Sequence, residues 1–280
     1  MSLNYQITAV LITRNEERNI ARCLNSLSFC SEIIIVDSFS TDKTKEISLS
    51  YPQVKFFEAE FLGYGPQKQL AVSKASHDWI FSIDADEWCT DELQRELSSF
   101  FHESKIPELK IYAIPRTLIF LNRPLNFSGE NRRPVVRFFH KSFANFNDAK
   151  VHEEVLPLQN ENVQVKPSGQ RMKGLNGEIM HLSYHSLSDY ILRMNHYSEA
   201  MAKKIVLQNS SPKLPNPFTL LLRFKITFIK IYFLRLGILD GMRGLIWSLS
   251  SAYANVIKYA KYYELLCSIN NPSHKNKITR

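Results

Sequence analysis

Four short apolar runs, at 7–12, 32–36, 54–57 and 79–83, divide the first hundred residues, and helical or polar segments lie between them. The first two read Ile7-Thr8-Ala9-Val10-Leu11-Ile12 and Glu32-Ile33-Ile34-Ile35-Val36, with no alternation of polar and apolar residues. A strand that is apolar throughout is covered on both faces, which is the condition of a parallel sheet. Between the runs, Ile20, Leu24 and Leu27 recur at helical spacing. Ser40-Thr41-Asp42 reads as the cap of a short helix through Ile47, and 67–75 suits another. Strand–helix alternation of this kind predicts an α/β fold with a doubly wound, mostly parallel sheet. An eight-stranded α/β barrel would need eight such units, and the pattern fades after about residue 103.

The rest of the chain changes character. "KIYAIPRTLIF" and "PVVRFFHKSF" suit longer, partly antiparallel strands, joined by the polar loop "NRPLNFSGENRRP". From 188 onward the pattern is helical: one helix over 188–209, a break at "SSPKLPNP", then segments near 218–236 and 240–266. Charge divides along the same line. Residues 193–280 hold 14 Lys and Arg against three acids, a balance of +11, which leaves −3 of the formal +8 for the first 192 residues. A mildly acidic front and a strongly basic rear point to different partners. Cys23, Cys30, Cys89 and Cys267 show no metal-binding spacing. Cys30 and Cys89 lie beside apolar or aromatic residues, so buried thiols are expected, and a reduced cytoplasmic setting with them, since the run at 7–12 is too short for a secretory signal.

In a doubly wound sheet, ligands bind beyond the carboxyl ends of the strands. The residues that follow each apolar run are polar: Thr13, Arg14, Asn15, Glu16 and Glu17 after the first, Asp37, Ser38 and Ser40 after the second, Asp84, Asp86 and Glu87 after the fourth. Helix capping can account for Thr13 and Asp37. It does not account for "FSIDADEW", where three carboxylates crowd into four residues and like charges repel. An Asp-x-Asp at a strand mouth can hold Mg²⁺ or Mn²⁺, which bind one or two carboxylates together with substrate phosphates. A solvated acidic loop ahead of a helix begun by Asp91 and Glu92 is the plainer alternative.

The run "ITAVLITRNEERNIARCLNSL…EIIIVDSFSTDKT", followed by "IFSIDADE", resembles the nucleotide-binding half of family 2 glycosyltransferases of GT-A fold over about residues 5–105. Weaker echoes in "GYGPQKQLA", "VHEEV", "HLSYHSLSDYILRMNHYSEAMA" and "GILDGMRGLIWSLSSAYANVIKYAKYYE" are most similar to bacterial enzymes that add glucose to the lipopolysaccharide inner core. The resemblance implies that Thr13, Asn15 and Glu17 line a nucleoside pocket and that Asp37 accepts a hydrogen bond from the base. It implies that Lys68 approaches the nucleotide, with Gly63 and Gly65 letting the backbone come close. Asp84 would lie on the ribose side, and Asp86 would bind the cation that bridges the diphosphate. It also implies three regions: 1–105 for nucleotide-sugar binding, 106–187 as the acceptor-side half of the same catalytic domain, and 188–280 as a basic helical appendage. One departure is plain. The more usual family loop ahead of the "VVRFF" strand has a Gly-Gly-Trp-like run where this chain reads "SGENRRP", which leaves the acceptor open.

Sugar transfer needs a base for the acceptor hydroxyl. "VHEEV" offers Glu153 and Glu154. If the segment is extended, Glu153 shares a face with Val151 and Val155, where desolvation would raise its pKa, while Glu154 shares the other face with His152. The resemblance also aligns a His-Glu pair with His152-Glu153. Glu153 is favoured and Glu154 stays open, with Asp148 and Glu130 more remote. His181 in "IMHLSYHS" resembles the histidine with which GT-A enzymes often complete the metal shell, and His185 competes with it. Arg137 in "VVRFF" could face the acceptor or the diphosphate, or lie on the surface.

In the rear, "FTLLLRFKITFIKIYFLRLGIL" is interrupted by Arg223, Lys225, Lys230 and Arg235, so it does not offer the ~20 largely apolar residues of a spanning helix. Its aromatic and basic mix suits a helix lying on an anionic membrane surface, the plainer alternative being an appendage packed on the catalytic domain or on a second copy, and no nucleic-acid module accompanies it. The reading is a cytoplasmic enzyme, peripheral on the inner membrane. It would move a hexose, glucose first among candidates, from a UDP-sugar to a lipid-linked saccharide such as the lipopolysaccharide core, by metal-assisted inverting displacement. The alternatives are a sugar-1-phosphate nucleotidyltransferase, for which "LITRNEERN" lacks the phosphate-loop glycines, and a non-catalytic nucleotide-sugar-binding module.

Overall fold

The computed structural model describes residues 6–100, 110–150, 153–158, 170–171, 176–208 and 214–270. The chain divides into two compact units, Met1–Thr117 with Arg132–Leu182, and Leu118–Asn131 with Ser183–Arg280.

The first unit begins with β1 (Ile7–Thr13), α1 (Ile20–Asn25), β2 (Glu32–Asp37), α2 (Thr44–Leu49), β3 (Val54–Glu58), α3 (Tyr64–Lys74) and β4 (Trp79–Ser82). These four strands are parallel in the order β3-β2-β1-β4, the arrangement that the apolar runs require. Every residue of β2 is buried, and alternate side chains feed two cores. Ala9, Leu11, Ile33, Ile35 and Phe81 pack on one face. Val10, Ile34, Val36 and Ile80 pack on the other. Each such side chain contributes roughly 1.5–3 kcal/mol by leaving water. Register then positions the rim, because Thr13 pairs with Asp37, and Val10 with Ser82. The polar residues that follow β1, β2 and β4 therefore leave the sheet at one edge.

The sheet continues through β5 (Glu87–Cys89), α4 (Asp91–Ser99) and β6 (Ile111–Phe120), which runs on into the second unit, where it pairs with the short β7 (Arg123–Pro124). Back in the first unit come β8 (Arg133–His140), β9 (Ala144–Phe146), β10 (Val155–Pro157), β11 (Gln170–Arg171) and β12 (Ile179–His181). Sheet order continues from β4 through β8-β6-β12-β5, and the β4–β8, β8–β6 and β12–β5 pairs are antiparallel. Thr90 caps α4 by accepting from the Leu93 amide, with Asp91 and Glu92 in the first turn as anticipated.

The second unit holds α5 (Leu187–Gln208), α6 (Pro217–Ile229), a π-helical turn at Lys230–Leu234, a 3₁₀ turn at Gly237–Asp240, and α7 (Met242–Asn270). Asn216 caps α6, with Pro217 at its first position. Phe120, Tyr190 and Trp247 meet edge to face at the centre of a small core that includes Leu118, Leu125 and Ile231. Asp240, itself buried, accepts hydrogen bonds from the amides of Asn126 and Phe127 and from the Ser128 hydroxyl, at 2.9, 3.1 and 3.0 Å. The departing "SGENRRP" loop is thus anchored by a residue over a hundred positions later. Gly244 lets α7 start against the 3₁₀ turn, since a Cβ there would lie 1.8 Å from the Gly237 carbonyl oxygen. No side chain of α6 is buried. None of the described helices is long and apolar enough to cross a membrane.

Candidate active site

The loops after β1 and β2 are fastened to each other. The Thr13 hydroxyl donates to Asp37 Oδ1 at 2.7 Å, and the Ser40 amide donates to Asp37 Oδ2 at 2.7 Å. Asn15, at φ 57°, donates its amide to Ser40 Oγ at 2.8 Å and accepts from the Thr41 amide at 2.8 Å. Glu17 accepts from the Lys43 amide at 3.2 Å, and its own amide donates to Asp42 at 3.0 Å. All four residues expected in the nucleoside pocket therefore stand together at the sheet edge. Much of their hydrogen-bonding capacity holds the rim in shape: Asp37 Oδ1 also accepts from the Ser40 hydroxyl at 2.6 Å, while Oδ2, with one donor, still has room for another.

The three carboxylates within Asp84–Glu87 repel one another, and something must offset that repulsion. A bound cation was the expectation; for Asp84 and Glu87 the chain supplies its own. The buried Lys68 ammonium, with 4% of its side chain exposed, donates to Asp84 Oδ1 at 2.8 Å. Arg137 Nη2 reaches Asp84 Oδ2 at 2.6 Å and Glu87 Oε1 at 2.7 Å, and Arg116 adds a 2.9 Å contact to the same Glu87 oxygen. Burial pushes the Asp84 carboxyl up, but Arg137 and Lys68 overcome it and hold the group well below the usual carboxylate range. Burial likewise opposes ionisation of Glu87, and Arg137 leads the contacts that leave its pKa lowered. The Arg137 guanidinium is raised in turn, because Asp84 and Glu87 outweigh its burial.

Arg137 reaches this position through an irregularity. Across β8 and β6, Val136 pairs with Ala113 and Phe138 with Tyr112, so Arg137 is the extra residue of a β-bulge. Bulges near active sites commonly re-aim a side chain.

Asp86 stands apart from that cluster. Strand β12 runs antiparallel to β5 with His181 opposite Glu87, and the Leu182 amide donates to the Asp86 carbonyl at 2.9 Å. This register brings His181 Nε2 to 3.4 Å from Asp86 Oδ2, with 18% and 16% of the two side chains exposed. Burial lowers the His181 pKa, but the Asp86 hydrogen bond and charge reverse the sign and leave it raised. One carboxylate oxygen and one imidazole nitrogen make a partial donor set that suits a divalent cation completed by phosphate oxygens and water. Among the described residues, no group of three or more His, Cys, Asp or Glu could hold a metal without such help.

Glu153 is partly buried, as expected, but its partner is a cation as well as apolar surface: Lys68 Nζ lies 2.6 Å from its Oε1. Its 153–154 neighbourhood packs on β9 through β10, and the Asn147 amide donates to the Glu154 carbonyl. His152 and Val151 lie outside the described residues. Lys68, placed at the nucleotide by resemblance, thus joins Asp84 to Glu153. Gly63 and Gly65 do let backbone come close, but to the chain itself. A Cβ on Gly65 would sit 2.0 Å from the Asn147 carbonyl oxygen, and the Gly65 amide donates to the Ala149 carbonyl at 3.0 Å. Beside the cluster opens a cleft of about 420 Å³ whose walls include Asp84, Arg116, Arg133, Arg137, Phe146 and Glu153.

Residues 8–149 match the family model described as Glycosyl transferase family 2, just over half of the chain. The chain belongs to glycosyltransferase family 2. An uncharacterized glycosyltransferase of Rickettsia felis is 32% identical over 280 residues, covering 98% of this chain and 95% of the relative. The lipopolysaccharide core biosynthesis glycosyltransferase LpsC of Rhizobium meliloti is 28% identical over 264 residues, covering 92% of each. Among solved structures, Staphylococcus aureus TarS 1–349 in complex with UDP aligns over 94% of this chain and 91% of that one, with 15% identity and a TM-score of 0.45. The expected α/β GT-A architecture, with C-terminal helices, is the one observed for this glycosyltransferase.

Proposed function

We propose that this glycosyltransferase moves a hexose, glucose in the first instance, from a UDP-sugar to a lipid-linked saccharide such as the lipopolysaccharide inner core, inverting the anomeric centre in one displacement. The observation that carries the reading is the Lys68 bridge, which fastens Asp84 of the Asp-x-Asp and Glu153 to a single ammonium at 2.8 and 2.6 Å. It sets a candidate base beside the carboxylates expected to meet the nucleotide-sugar. Similarity to LpsC, named for lipopolysaccharide core biosynthesis, supports the acceptor class.

Thr13, Asn15, Glu17 and Asp37 would receive the nucleoside at the edge of β1 and β2. Asp86 and His181 would hold Mg²⁺ or Mn²⁺ against the diphosphate. Such a cation supplies Lewis-acid stabilisation to a departing diphosphate. Asp84, kept ionised by Arg137 and Lys68, orients the donor on its ribose side. Glu153 takes the proton of the attacking hydroxyl, and Lys68 holds its carboxylate in place. A single displacement needs no protein nucleophile, so each of these residues binds, orients or moves a proton.

The acceptor's lipid anchor gives a role to α6, the π-helical turn after it and the start of α7. Phe218, Leu221, Leu234 and Met242 are 71%, 66%, 75% and 70% exposed, with Lys225 and Lys230 between them. An apolar, basic and exposed surface of this kind suits the interface of an anionic bilayer. The test combines two readouts on the full chain. UDP release should depend on both UDP-glucose and core saccharide, and the protein should sediment with anionic but not neutral vesicles. Leu221→Gln with Leu234→Gln should abolish sedimentation. Release that ignores saccharide would defeat the transferase reading, and unchanged sedimentation would defeat the membrane reading.

A further inference from the structure

The cleft beside Glu153 carries more positive charge at one wall than the cluster needs. Arg116 and Arg133 stand directly opposite each other on β6 and β8. Like charges in that relation are destabilising. Arg116 relieves its side of the pair through Glu87. Arg133 is exposed, and none of the ion pairs among the described residues includes it. Glu154, which also lines the cleft, lies beyond ion-pair distance from it. An arginine at a cleft wall, opposed by a second arginine and without an ion pair, suits the oxygens of a carboxylate or phosphate.

The cleft and most of the residues expected at the donor lie at different places on the sheet. Thr13, Asn15, Glu17 and Asp37 stand at the ends of β1 and β2, and Asp86 and His181 on the β5–β12 side. None of these lines the cleft. Its walls come from β6, β8, Phe146 of β9 and the 153–155 segment, with Asp84 and Glu153 at the boundary. Glu153 therefore faces a chamber that meets the donor-side residues only at Asp84. We propose that this chamber receives the acceptor, and that Arg133, assisted by Arg116, binds a carboxylate or phosphate carried on the acceptor close to the hydroxyl that Glu153 deprotonates. The inference rests on the transferase reading above and adds to it the chemical class of the acceptor: an anionic saccharide.

The experiment uses the full chain, UDP-glucose, and deacylated core oligosaccharide in three forms: untreated, dephosphorylated, and carboxyl-reduced. Arg133→Gln should raise the KM for untreated saccharide about tenfold, which is ~1.4 kcal/mol, while kcat and the KM for UDP-glucose stay within twofold. Arg133→Lys should recover part of the loss. Wild-type protein should lose a similar factor with whichever treated form lacks the recognised anion, and Arg133→Gln should not distinguish that form from the untreated one. A rise in the UDP-glucose KM instead would assign the arginine to the diphosphate and overturn the proposal. Equal use of all three saccharides by the wild type would overturn it as well. If no UDP-sugar is turned over, titration of the untreated oligosaccharide into wild-type and Arg133→Gln protein decides the matter separately, and equal affinities would refute the site.

Discussion

Lys68→Met removes the ammonium that joins Asp84 to Glu153, and its cost can be worked from the contacts. Deleting one partner of a buried ion pair commonly costs ~3–5 kcal/mol, because the other charge is left unpaired in a low-dielectric site. Two features reduce that figure here. Asp84 keeps Arg137 at 2.6 Å, and its side chain is 32% exposed, so water takes up part of the loss. Glu153 is 17% exposed, and its ion pair is with Lys68. A destabilisation of about 2–4 kcal/mol follows. Native-state hydrogen exchange read on peptides from β1 and β4 isolates the first unit, since these buried strands open only with the unit as a whole. Their amides should exchange about 30- to 1,000-fold faster than in wild type. Pairing Lys68→Met with Glu153→Gln should recover about 1–2 kcal/mol relative to the sum of the single changes, because no stranded carboxylate remains at 153. Acceleration below threefold, or strict additivity, would refute the bridge.

Glu153→Gln should cut turnover by roughly 10²–10⁴-fold while UDP affinity stays within twofold, and full activity would move the base elsewhere. Asp240→Ala should leave the amides of Asn126 and Phe127 without an acceptor, at a cost of about 1–3 kcal/mol. Exchange at 126–128 should accelerate, and unchanged protection would show that Asp240 does not hold this loop. Glu32, buried with Lys55, Ser76 and Thr8 around it, should make the first unit acid-sensitive. Burial opposes its ionisation, but those partners lower its pKa to about 2. Its contribution is present above the unfolded value of about 4.3 and fades as pH falls through 2. Lys55 is half-exposed, so Glu32→Gln should cost only about 1–2 kcal/mol at neutral pH. It should also flatten the stability profile between pH 5 and 2; a profile as steep as the wild type's would remove Glu32 from the account.

The parallel core was legible because strands covered on both faces read as unbroken apolar runs, and Glu32-Ile33-Ile34-Ile35-Val36 has no other comfortable home. The polar rim followed from it, since chain ends of adjacent parallel strands fall at one edge. The antiparallel extension was legible in kind from "KIYAIPRTLIF" and "PVVRFF". What escaped depends on long-range geometry. The bulge that aims Arg137 at Asp84 is a one-residue register change that no local pattern marks. The Lys68–Glu153 pair joins residues 85 positions apart. Arg116 carried no local signal at all. Glycines at 63 and 65 point to close approach, which the resemblance assigns to the nucleotide, whereas the neighbour in the fold is the chain's own 147–150 segment. His181 was placed by resemblance, and the β5–β12 register supplies the physical reason it meets Asp86.

Asp86 and His181 are central to the account, and calorimetric titration of UDP with and without Mn²⁺ tests them most directly. Wild-type protein should bind UDP at least tenfold more tightly when Mn²⁺ is present, and Asp86→Ala should bind it equally weakly in both conditions. UDP affinity in the wild type that is indifferent to Mn²⁺, or an Asp86→Ala variant that keeps the full metal dependence, would contradict the account.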